Sequence, residues 1–149
     1  MDSPYTQSLL LYAYQASARA LIGTLQARGH PSIRPKHGAV FANIDGDGTR
    51  SSILAERAGI GKAAMGELID ELQRLGYVRR NPDPSDRRAK LVVPTDRARE
   101  VTDIVHEYNM QMEAAYRELL GDEAYWALRA ALQAISPRDE MQPRLPPKG

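Results

Sequence analysis

Residues 53–95 read ILAERAGIGKAAMGELIDELQRLGYVRRNPDPSDRRAKLVVPT, and the fold turns on how this stretch is divided. Ser51 or Ser52, just upstream, can cap a short helix running to Ala58, and Gly59 permits a tight turn after it. From about Lys62 to Leu75 a second helix is expected, because Met65, Leu68, Ile69 and Leu72 recur on one face before Gly76 ends the pattern. Small Ala55 and Ala58 let the two helices cross closely, which makes the pair a helix-turn-helix candidate. Tyr77–Arg80 and Lys90–Val93 read as short strands, so Asn81–Ala89, with its two prolines and mixed charges, becomes the connection of a β-hairpin. A charged hairpin directly after a helix-turn-helix is the layout of a winged helix.

Outward from this centre the chain is helical. Pro4 to about Arg28 forms a long helix stopped by Gly29, and Leu9–Tyr14 makes it apolar nearly all round, as in a helix covered by more than one neighbour. A partner chain is one way to cover it. A short helix starts at Pro35, where a missing N–H costs nothing, and runs to about Asn43 before DGDGT breaks it. Thr95 caps a long helix with Asp96 in its first turn and an apolar stripe through Val101, Ile104, Val105, Tyr108 and Met112. Gly121-Asp122 separates it from a last helix bearing Tyr125, Leu128, Leu132 and Ile135. The expected fold class is mainly α with a small β-hairpin wing. In domain terms, residues 1–136 form one unit with the winged lobe at 34–94 and long terminal helices at 4–28 and 95–136, and 137–149 is a Pro-rich flexible tail.

Composition narrows the function classes. No run of about 18 apolar residues is present and the start of the chain lacks the features of a signal peptide, so a cytoplasmic protein without membrane association is expected. The chain has no cysteine, which excludes disulfides, thiolate metal sites and cysteine nucleophiles. Between Thr49 and Arg99, eleven Lys and Arg stand against seven Asp and Glu, leaving nine basic and twelve acidic residues elsewhere. A basic centre on an acidic scaffold suits a polyanion partner. No nucleophile and base stand at a recognisable spacing and no glycine loop is shaped for phosphate, so an enzyme is not expected.

The LAE-x-x-G turn, the D-x-L-x-x-x-G-x-V-x-R helix exit and the DP-x-DRRAKLV wing resemble the MarR family of bacterial winged helix-turn-helix regulators. The resemblance covers nearly the whole chain. It implies a homodimer, joined through its first, fifth and sixth helices, that sets recognition helices in successive major grooves of a pseudo-palindromic double-stranded DNA operator and wings in the flanking minor grooves. It further implies a transcriptional repressor released by a small-molecule effector, with Tyr12, His37, Phe41 and Tyr108 as pocket candidates. DNA contacts are expected from Ser51, Ser52, Arg57, Lys62, Ala63, Ala64, Arg74, Arg87, Arg88 and Lys90, with an Asp86–Arg88 ion pair fixing the wing arginine. This sequence departs from the family where polar readers are usual: Ala64, Gly66 and Glu67 leave Lys62 nearly alone for direct base readout.

Each of these residues has a plainer reading. The wing can be a solvated turn whose charges neutralise each other, and Arg57, Arg74, Arg79 and Arg80 can be surface charges or intrachain partners. The four pocket candidates can be ordinary core. Asp45, Asp47, Thr49, Ser51 and Glu56 match ligand positions of a calcium loop, but Arg50 stands where glycine is required, so DGDGT reads as a turn and no metal or cofactor is expected. His30, His37 and His106 are isolated. A dimeric protein-interaction module with degenerate DNA readout is the alternative function.

Overall fold

The computed structural model describes residues 4–136; the tail expected at 137–149 lies outside them. Six α-helices and one hairpin follow in order: α1 (Thr6–Ala27), a 3-10 turn (Pro35–His37) running into α2 (Gly38–Phe41), α3 (Ser51–Ala58), α4 (Lys62–Arg74), β1 (Val78–Asp83), β2 (Asp86–Pro94), α5 (Asp96–Leu120) and α6 (Asp122–Ile135). The mainly helical winged fold expected from the sequence is present.

The core sits in the lobe between α2 and the start of α5. Met65, Ile69 and Leu72 of α4 are fully buried against Leu54 and Ala55 of α3, Val40 of α2, and Val78 and Val92 of the hairpin. Each such side chain contributes about 1.5–3 kcal/mol relative to an exposed one. Gly59 ends α3 at a φ of +65°, and the Ile60 N–H returns to the Ala55 carbonyl at 3.1 Å, which turns the chain into α4. Thr95 caps α5 by accepting the Ala98 N–H at 3.4 Å, and its hydroxyl lies 2.7 Å from the Gly76 carbonyl and 3.0 Å from that of Tyr77. The long helix is thereby tied to the exit of α4.

The hairpin is longer than expected. The segment assigned to a loop, Asn81–Ala89, is mostly strand, and only Pro84-Ser85 lies between β1 and β2. Prolines and charges suggest a loop, but Asp83 accepts the Ser85 N–H at 2.9 Å and its hydroxyl at 2.7 Å, closing a turn at that point. A third element escapes the sequence pattern: Thr49 and Val92 exchange both backbone hydrogen bonds at 2.9 Å, so the end of DGDGT adds a strand-like residue beside β2. β2 is therefore central and β1 is an edge. The expected serine cap is also absent: Arg50 occupies the N-cap of α3, with no side-chain cap bond.

α1 buries only Leu25, and the second half of α5 and nearly all of α6 stay exposed, Tyr125 being buried. Tyr108 anchors α5 to α1 by donating to the Ser17 carbonyl at 3.0 Å, and Arg28 pairs with Glu107. Among the described residues, Leu9, Leu11, Tyr12 and Tyr14 remain exposed on α1.

Gly48 has a φ of +106°, and a Cβ there would lie 2.9 Å from Val93 Cγ2 and 3.1 Å from Leu91 Cβ. Gly59→Ala meets only the backbone strain, since nothing lies within 4 Å. Gly48→Ala should therefore destabilise by about 1–3 kcal/mol in urea unfolding, more than Gly59→Ala. Equal effects would show that close approach to β2 does not matter.

Candidate DNA interface

α4 begins at Gly61, its N-cap, and presents Lys62, Ala63 and Ala64 to solvent while Met65 turns inward. Gly66 is half-buried and Glu67 exposed. The exposed face of the first turns thus carries one cation, two methyl groups and one carboxylate. Arg74 lies exposed in the last turn, 12 positions beyond Lys62 on the helix. Helices donate to anions at their N-termini through unpaired N–H groups and the macrodipole, and no acid stands in the first turn of α4 to oppose this.

The wing supplies the other cations. Arg87, Arg88 and Lys90 are exposed on β2. Among the described residues, the side chains of Arg87 and Arg88 make no ion pair or hydrogen bond. The expected Asp86–Arg88 ion pair is not formed: Asp86 Oδ1 accepts the backbone N–H of Arg88 at 3.0 Å, and its Oδ2 lies 3.8 Å from Arg50. A carboxylate two residues before an N–H is well placed to close this local ring, which leaves the guanidinium free.

Other arginines are committed within the chain. Arg57, expected to contact DNA, instead donates to the Asn43 carbonyl at 2.7 Å and to Asp45 at 2.9 Å, with a mostly buried side chain. Asp45 also holds Thr49, whose hydroxyl hydrogen-bonds the Asp45 N–H at 2.9 Å. The DGDGT turn thus organises the Thr49 bridge to β2 and the segment after α2 through protein groups. Arg80 is held by Asp70 at 2.6 Å and Gln73 at 2.9 Å, whereas Arg79 is exposed. Ser51 is half-buried and Ser52 exposed at the start of α3.

The four pocket candidates stand in different surroundings. Tyr12 is exposed on α1, Phe41 stands edge-on to Tyr77, and Tyr108 bonds to Ser17. His37 is fully buried: its Nδ1 accepts the Arg34 N–H at 2.9 Å, and its Nε2 lies 3.4 Å from Glu71. Burial pushes its pKa below the ordinary histidine value, with Glu71 opposing that shift. Two open clefts of about 570 and 410 Å³ lie elsewhere, one lined by Arg79, Asn81 and Arg97, the other by Ser32, Arg34 and Arg74, and none of the four candidates lines either. Among the described residues no group of three or more His, Asp or Glu could hold a metal ion, and no helix is long and apolar enough to cross a membrane.

Sequence reading missed Arg50, Thr49 and Asp83. Arg50 Nε and Nη2 each lie 2.7 Å from Asp83 Oδ2, joining the start of α3 to the wing tip.

A family model described as "MarR family" matches residues 34–89, from the 3-10 turn into the wing. Over 41 residues the chain is 39% identical to the uncharacterized HTH-type transcriptional regulator YcgE of Bacillus subtilis strain 168, a match that spans 28% of this chain and only 27% of that protein. The structure superposes on CouR of Rhodococcus jostii RHA1, solved bound to p-coumaroyl-CoA, with a TM-score of 0.63 and 27% identity, covering 85% of this chain and 88% of that one. The family match over residues 34–89 and the superposition on CouR support a MarR-family winged-helix regulator. The fold is also shared with FabT of Streptococcus pneumoniae, solved in complex with DNA, at a TM-score of 0.76 and 13% identity, over 87% of this chain and 91% of FabT.

The environment of Asp83 makes one of these contacts measurable. The Ser85 hydroxyl and N–H, followed by Arg50, hold its pKa down from 3.8 to about 2. A carboxylate whose folded pKa is depressed contributes stability that is present above the unfolded value of 3.8 and disappears as pH falls through about 2. A carboxyl NMR titration should give a midpoint near 2 for Asp83 in the wild type. It should rise in Arg50→Ala; a wild-type midpoint near 3.8 would contradict this geometry.

Proposed function

We propose that the protein is a homodimeric, sequence-specific transcriptional regulator of double-stranded DNA, acting as a repressor on a pseudo-palindromic operator in the bacterial cytoplasm. The observation that carries this reading is the pair of uncommitted wing arginines, Arg87 and Arg88, following a recognition helix that exposes Lys62 at its N-terminus. In this reading Lys62, Ala63 and Ala64 meet base edges in the major groove, the alanines through thymine methyl groups. Arg88 enters a narrow minor groove, and Ser51, Ser52, Arg74, Arg87 and Lys90 meet phosphates. Arg57 is withdrawn from the set, because its guanidinium is held by Asn43 and Asp45.

Dimerisation is supported by the distribution of uncovered apolar surface. Among the described residues, the large exposed apolar side chains other than Ile53 of the winged lobe, including Leu9, Tyr12, Leu119, Trp126, Leu128 and Ile135, belong to the terminal helices or their edges. A face of this kind marks an interaction surface, and a two-fold partner would also supply the second recognition helix. A small-molecule effector is supported by the ligand-bound relative CouR. Such an effector must bind one arrangement of the two recognition helices better than the other, since equal affinity shifts nothing. The four scattered aromatic and histidine candidates would line its pocket only after the second subunit or the ligand brings them together.

Light scattering should report a dimer of about 33 kDa, twice the 16.5 kDa chain. A monomer at micromolar concentration would refute the assembly. Fluorescence anisotropy with a mapped operator and a scrambled duplex, at one fixed salt concentration, tests the readout. Arg88→Ala should weaken operator binding by about 1–3 kcal/mol and reduce the ratio of the two affinities. Arg74→Ala should cost less and weaken both duplexes alike. If Arg88→Ala leaves the ratio unchanged, the wing does not read DNA and the interaction-module reading gains.

A further inference from the structure

The wing tip has an unfavourable composition for binding an anion. Within six residues it places Asp83 and Asp86 beside Arg87 and Arg88. Left alone, two carboxylates this near would draw the guanidinium groups to themselves and would repel phosphate. Neither happens to the arginines here. Asp83 Oδ1 accepts two bonds from Ser85, and its Oδ2 accepts Nε and Nη2 of Arg50, so its acceptor sites are filled. Asp86 gives one oxygen to the Arg88 N–H and turns the other toward Arg50 at 3.8 Å.

We propose that Arg50, from the N-cap of α3, occupies the two wing carboxylates so that Arg87 and Arg88 remain available to DNA. Arg50 is thus a positioning residue rather than a DNA contact, and the proposal rests on the DNA-binding reading above. Its location makes the arrangement two-sided. The same side chain that occupies the carboxylates fastens the wing tip to α3, 33 residues away in sequence. A planar fork suits this task, because Nε and Nη2 together reach one Asp83 oxygen while the same Nη2 also faces Asp86 at 3.8 Å. It also accounts for an N-cap without a capping side chain: the residue at that position serves the wing instead.

The test separates occupation of the carboxylates from direct contact. Arg50→Ala should weaken operator binding more than about tenfold, beyond the loss expected from one phosphate contact. Adding Asp83→Asn and Asp86→Asn to Arg50→Ala should restore affinity to within about threefold of wild type, since the groups that capture Arg87 and Arg88 are then neutral. Were Arg50 itself on a phosphate, the triple variant would stay as weak as the single one, and that result overturns the proposal. An unchanged affinity in Arg50→Ala also overturns it. Should Arg50→Ala fold poorly by circular dichroism, Arg50→Lys keeps the charge with a simpler donor and is expected to bind several-fold better than Arg50→Ala/Asp83→Asn; the reverse order overturns the proposal. If the wild type binds neither duplex, the regulator reading fails on its own. Hydrogen exchange then reads the fastening directly: amides of residues 81–89 should lose about tenfold protection in Arg50→Ala, and equal protection would show that Arg50 does not hold the tip.

Discussion

Tyr77 is the residue on which the lobe closes. Its ring is fully buried at the start of the hairpin, edge-on to Phe41 of α2 and beneath the guanidinium of Arg97 at 4.6 Å. Its hydroxyl meets Nδ1 of buried His30 at 2.9 Å, in the connection after α1, and its carbonyl accepts the Thr95 N–H that opens α5. One side chain and its backbone therefore join four elements that are distant in sequence. Burial raises its pKa and lowers that of His30, so both groups stay neutral and the bond between them is one between uncharged partners. Such a bond carries no cost of burying charge, which suits a junction that must hold the terminal helices against the lobe.

From that junction the structure divides by what each surface is asked to cover. The apolar core of the lobe is covered within the chain, and arginines such as Arg57 and Arg80 bind their own neighbours. The terminal helices are not: α5 buries Val101, Ile104 and Tyr108 in its first half and leaves Met110 and Leu119 open beyond them. Helix α6 is held to α5 through Glu113, which pairs with Arg129 at 2.8 Å and also with Tyr125. Polar ties of this kind fix the position of a helix while its apolar face remains uncovered.

Much of this was legible in the residues because helix pairs, caps and glycine stops act locally. Met65, Ile69 and Leu72 declare the inner face of α4 by spacing alone, and Thr95 and Gly59 mark their boundaries by chemistry that depends on near neighbours. The wing was read short because Pro82 and Pro84 mark loops when the chain is viewed singly, whereas the closing of the strands depends on Asp83 bonding to Ser85. Thr49 gave no strand signal because a single bridge leaves no alternation to detect. Arg50 was illegible for a related reason: its partners lie 33 and 36 positions away, and spacing within a helix says nothing about them. His37, Phe41 and Tyr108 were recognisable as inward-facing residues, but their neighbours are set by tertiary contacts, so their grouping into one pocket did not follow.

The edge position of β1 has a consequence for how molecules of this protein meet in a crowded cell. Val92 turns both its N–H and its carbonyl toward Thr49, so its partner Arg80 turns its own pair away from β2, and Pro82, two residues on, follows the same alternation. The open side of the wing therefore offers a proline, which has no N–H, close to the point where a foreign strand would dock. The neighbouring, exposed Arg79 adds positive charge to that edge. Strand-by-strand growth of one wing onto another thus meets a missing donor and charge repulsion together, and the exposed β-edge is guarded against polymerising.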